Sequence, residues 1–163
     1  MRGTRAWSAV VAAAVVAVAG ARSAVVQAQG NGPVASVTAG YQMTVNGQLR
    51  SIEFTAQRDA ANNSRGQGHL FNHVTGTKLH FVIDCLHVVG SVATISGSIT
   101  HTDTDAFPEG TTLWVQVVDN GEGKKSPPDL VSPLFAIFGS GVSCTSPVAA
   151  ASIPIEGGNI QVH

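Results

Sequence analysis

Six histidines, two cysteines and ten acidic residues are the side chains of this 163-residue chain with the widest chemical reach. The histidines are His69, His73, His80, His87, His101 and His163. His69 and His73, four positions apart on an extended chain, share a face but stand about 13 Å apart along it. That is too far for one zinc ion. His80 and His87 flank Cys85. A zinc site needs three or four converging ligands and partners that orient them. No spacing of that kind is present, so the histidines read as exposed β-face residues and no histidine metal site is expected. Neither cysteine belongs to a Cys-x-x-Cys pair, which argues against a redox enzyme or a zinc knuckle.

The acidic loops suit an ion better. Asp119-Asn120-Gly121-Glu122 offers carboxylate and amide oxygens in one tight turn, and Asp129 lies close enough in sequence to return to it. Oxygen-rich loops of this type suit Ca²⁺ outside the cell, so Asp119, Glu122 and Asp129 are the calcium candidates. Asp103, Asp105 and Glu109 form a second acidic group. Asp-Asn-Gly is equally good turn chemistry, and Lys124-Lys125 competes for the carboxylates, so the plain turn is the preferred reading. For covalent catalysis there is no Gly-x-Ser-x-Gly elbow, and no fingerprint of a cofactor. Trp114, inside an apolar strand, fills the core or, facing outward, stacks on a sugar or anchors a partner. Asn62-Asn63-Ser64 is a glycosylation sequon that matters only in a glycosylating host.

The beginning of the chain indicates a compartment. Arg2 and Arg5 precede an Ala/Val run from Ala9 to Ala21. The run is shorter than the ~20 apolar residues that span a bilayer core, and it matches the central region of a secretory signal. Val26-Gln27-Ala28 presents compact residues to a signal peptidase, placing cleavage after Ala28, with Ala24 as the fallback. The competing reading, a retained membrane anchor, is disfavoured by the short run and small-residue exit. Composition of this kind is associated with a GC-rich bacterium. Cleavage removes Arg2, Arg5 and Arg22 of the nine basic residues and none of the ten acidic ones, leaving a net charge of −4. An acidic domain has no footprint for phosphate backbones, which argues against nucleic acid as a partner. In an exported chain, Cys85 and Cys144 read as a disulfide.

These side chains must be positioned by strands. No sustained 3.6-residue apolar period appears, while β-branched residues, Gly, Ser, Thr and Asn dominate. Residues 1–28 are the signal, 29–39 a loose lead-in and 40–163 one domain. Asn46-Gly47, between alternating runs, is a hairpin turn. A strict two-residue turn sets Arg50 opposite Met43 on the apolar face, a conflict that a bulge or a longer loop would relieve. A polar loop is expected over 58–66, then strands over 68–74, 78–84, 86–89, 91–100, 112–119, 134–138, 149–155 and 159–162. Leu79, Phe81 and Ile83 point one way; Ala93, Ile95, Gly97 and Ile99 also point inward. The continuous apolar run 134–138 reads as a strand buried on both faces. Little in the turn 120–129 is apolar, so it is expected to be mobile. Eight to ten short strands without crossover helices mean an all-β antiparallel sandwich or barrel.

Three stretches carry a resemblance: Val89–Gly97, Val115–Gly123 with Asp129, and the closing Gly157-Gly158-Asn159-Ile160-Gln161-Val162-His163. In this order they resemble the small exported bacterial domains called post-COAP domains. The resemblance implies an all-β fold and secretion, and brings with it no activity and no catalytic residues. The Gly/Ser-rich insertion 139–146 that holds Cys144, and Pro127-Pro128, depart from the pattern, so the disulfide is not part of what the resemblance implies.

The expectation is therefore a secreted, extracellular or periplasmic, non-enzymatic β-domain, acting as a structural or interaction module at or outside the cell envelope. It needs no cofactor, keeps no membrane span after cleavage, and meets a protein or cell-surface partner. The alternative is a small β-barrel that binds an apolar ligand or a carbohydrate, or performs a simple reaction in its cavity.

Overall fold

The computed structural model describes residues 32–163 apart from Lys124 and Ser140. The signal segment 1–28 and its cleavage site lie outside the described residues. Ten strands follow one another: β1 Ala35–Val45, β2 Gln48–Arg58, β3 Ser64–Asn72, β4 Lys78–Val89, β5 Val92–Thr102, β6 Thr112–Val118, β7 Leu130–Val131, β8 Phe135–Ile137, β9 Ile153–Pro154 and β10 Gly157–Val162. All pairings are antiparallel. They build a single sheet in the order β10-β1-β2-β3-β4-β5-β6-β7-β9, with β8 added to β6. The fold is all-β, and the sheet curls into a half-barrel rather than splitting into two stacked layers.

Alternation explains the curl. Val37, Ala39, Tyr41 and Met43 of β1, Ile52, Phe54 and Ala56 of β2, and Leu79, Phe81 and Ile83 of β4 face one buried interior. Large apolar side chains on only one side of a twisted sheet are covered when the sheet wraps around them. The β1–β2 turn has two residues, with Asn46 at φ 52° and Gly47 at φ 74°. Both positive angles match the twist of the flanking strands. The resulting register sets Met43 opposite Arg50. No bulge intervenes, so the conflict expected from the sequence is real.

Several expected boundaries move. β1 begins at Ala35, so the second half of the lead-in belongs to the sheet. β3 begins at Ser64, which shortens the expected loop. β4 runs unbroken through Asp84–Leu86, with a register shift against β5 between Ile83 and Cys85. Gly97 sits at that shift, where a side chain would collide with the Val82 backbone. The expected strand 149–155 contracts to Ile153–Pro154. The run 134–138 is not buried on both faces: β8 is a half-buried edge addition, and Phe138 is 67% exposed.

A second covered face lies on the other side of β5 and β6. Trp114 is 1% exposed, with its ring 6.1 Å from that of Phe135. Thr94 and Ser96 are buried on the same side. Gln116 ties the covering chain down: its amide donates to Thr94 Oγ1, and its Oε1 accepts from the Ala151 backbone. Trp114 is thus a packing residue. Cys85 and Cys144 are bonded, with Cα atoms 5.5 Å apart, fastening the segment after β8 to β4.

Candidate functional site

Arg50 belongs to the inward set of β2, near the end of the half-barrel that carries the Asn46-Gly47 turn. Its guanidinium donates to Gln48 Oε1 through Nη2 at 3.3 Å. Its Nε is buried and has no hydrogen-bond partner among the described residues. The same Gln48 oxygen accepts from Asn72 Nδ2 at 2.9 Å. Asn72 is buried and fixed in turn by the Val74 and Thr75 amides, which donate to its Oδ1. A polar cluster is therefore held rigidly at the mouth, with one cationic donor unused.

Arg50 itself is one of the residues that line a cavity of about 340 Å³. Leu70, Leu79, Phe107, Leu134 and Ala136 give it apolar walls, while threonines, Gln48 and Asn72 line its polar side. No aspartate or glutamate lines it among the described residues. Phe107 reaches it from the loop between β5 and β6, and Leu134 from the segment before β8. A concave apolar space with a few fixed polar groups is the usual form of a small-molecule site. Leaving a charged donor buried and unpaired costs about 1–3 kcal/mol or more. Such departures from local consistency are expected at functional or strained sites.

The opposite end of β2 provides the contrast. Arg58 also points inward and has a buried Nε that finds no partner among the described residues, but its Nη1 donates to the Leu86 carbonyl at 3.4 Å, and the hollow beside it is only about 70 Å³. Tyr41, in the interior, has a buried hydroxyl without a partner among the described residues, and burial pushes its pKa up, keeping the phenol neutral.

The calcium candidates do come together, but on protein donors. Asp119 accepts from the Gly121 amide and, through Oδ2, from Val162 N at 3.0 Å. Asp129, 4% exposed, accepts from Asn120 N and from Ile160 N, each at 2.9 Å. Glu122 Oε1 accepts from Asn159 Nδ2 and Gln161 Nε2. All three carboxylates grip β10, and two of them take the backbone N–H groups that its free edge presents. They stitch the seam of the curled sheet between the β6–β7 connection and β10. The turn expected to be mobile is anchored at both ends by these bonds. The second acidic group does not converge: Asp103 Oδ1 accepts from Lys78 N, Asp105 is exposed, and Glu109 lies 3.4 Å from His101.

Ser51 Oγ lies 2.7 Å from His73 Nε2. Both are on the outer face, and among the described residues no carboxylate stands on the far side of the ring. A nucleophile–base pair of this kind needs a third group that orients the base. Comparison with protein-family models, with curated proteins and with solved structures finds no match to this chain. The function is therefore argued from geometry.

Proposed function

We propose that this chain is an exported, non-catalytic binding module whose half-barrel holds a small amphipathic carboxylate, acid group on Arg50 and apolar body in the mouth cavity. The observation that carries this reading is that Arg50, whose buried Nε–H has no partner among the described residues, lines a largely apolar cavity. Nε and Nη of a guanidinium form a planar fork that matches a carboxylate. The apolar walls favour a hydrocarbon or aromatic body over a sugar. Export is supported by the signal-like beginning of the chain and by the Cys85–Cys144 bond, since disulfides persist in oxidising compartments. The post-COAP resemblance points the same way. No helix among the described residues is long and apolar enough to cross a membrane.

The test is equilibrium binding of medium-chain and aromatic carboxylates alongside their methyl esters. The acids bind saturably, the esters bind at least tenfold more weakly, and Arg50→Gln removes the difference. Equal binding of acid and ester, or no saturable binding in the panel, refutes the assignment.

A further inference from the structure

His69, His80 and His101 are eleven and twenty-one positions apart in sequence, yet the sheet sets them side by side. His69 pairs with His80 across β3 and β4, and His80 with His101 across β4 and β5. Their ring centroids are 6.1 Å and 6.0 Å apart. A carboxylate stands at each end of the row: Glu53 Oε2 is 3.8 Å from His69 Nε2, and Glu109 Oε1 is 3.4 Å from His101 Nδ1. All five side chains are exposed. An open trough of about 650 Å³ on the outer face runs past His69 and His80.

We infer that this row is a surface site for one divalent late transition metal ion, with His80 as the ligand shared by its neighbours. Imidazole nitrogen is the donor such ions prefer. Two imidazoles bound to one ion at nitrogen–metal distances near 2.1 Å bring their ring centroids to about 5 Å. Each neighbouring pair in the row is about 1 Å wider than that. Among the described residues no three donors already converge. The rings are exposed and reorient on the picosecond-to-nanosecond scale, the motion by which a neighbouring pair would close on an ion. The terminal carboxylates supply what metal-bound histidines commonly have, an acceptor for the second ring N–H or a further ligand. The trough leaves room for water on the remaining positions. His73, His87 and His163 have no such neighbours: His73 is engaged by Ser51, and neither His87 nor His163 is part of the row.

The experiment is calorimetric titration of the protein, purified without a histidine tag, with Cu²⁺ and with Zn²⁺ near pH 7.5. One equivalent of ion binds. His80→Ala weakens it at least tenfold, His69→Ala and His101→Ala weaken it less, and His163→Ala leaves it unchanged. Arg50→Gln binds the ion like the parent, which separates this site from the cavity. Absence of saturable uptake, or uptake that survives unchanged in His80→Ala, overturns the inference.

Discussion

Arg50 is where local sequence logic and the fold disagree, and the disagreement is informative. The residue follows a turn whose chemistry leaves no freedom of register, so its side chain must point inward. An apolar residue at this position would suit the apolar interior of the half-barrel better. Arg50→Met is therefore expected to raise the melting temperature by a few degrees, corresponding to about 1–3 kcal/mol of relieved burial, while eliminating carboxylate binding. Gln48 keeps its bond from Asn72 in the variant, so the cluster does not lose its second member. A thermal melt and a binding titration on the same sample check both halves. A variant that is less stable and still binds would show that Arg50 serves the fold. Asp129 behaves oppositely. Asparagine in its place presents an amide donor to one of two backbone donors, and Asp129→Asn should lose about 2–3 kcal/mol in urea unfolding.

At the scale of elements, the strands and their faces were legible because alternation and Asn-Gly act locally. The inward sets of β4 and β5 follow directly from Leu79-x-Phe81-x-Ile83 and Ala93-x-Ile95. What was not legible depends on contacts far apart in sequence. The apolar run 134–138 reads as a doubly buried strand, yet β8 adds to β6 beside Trp114 as a half-buried strand, a placement set by pairing some twenty positions away. The acidic turn reads as plain turn chemistry, with calcium as the alternative, and its real partners, the Ile160 and Val162 amides, are out of reach of local reading at 31 and 43 positions. Calcium at millimolar concentration should accordingly leave the melting temperature unchanged, since the carboxylates already accept from six protein donors. A rise of several degrees that disappears in Asp119→Asn would favour the calcium alternative over the plain turn. The histidine row was invisible for the same reason: its spacing is a property of sheet register and not of the sequence. Arg50, by contrast, stands out as a misfit from the spacing around Asn46-Gly47 alone.

At the scale of the molecule, one sheet carries two covered faces, a side-chain seam and a single disulfide. The Cys85–Cys144 bond spans 59 positions and restricts the unfolded chain by about 4 kcal/mol on the chain-entropy account. It also fastens the segment that follows β8, beside the buried Trp114, to β4. Trp7 lies in the segment assigned to the signal, so in a processed protein Trp114 is the sole tryptophan. Replacing both cysteines by serine should lower stability and shift Trp114 emission to longer wavelength; an unchanged emission maximum would mean that the cover stays closed without the bond. The central claim, a carboxylate seated on Arg50, is tested most directly by the ¹H–¹⁵N signal of the Arg50 Nε–H, assigned through its loss in Arg50→Gln. Titration with a bound medium-chain acid should move this signal together with those of Leu70 and Phe107, while the methyl ester leaves the Nε–H in place. An acid that binds without moving the Arg50 Nε–H, or that moves residues elsewhere instead, would contradict the account.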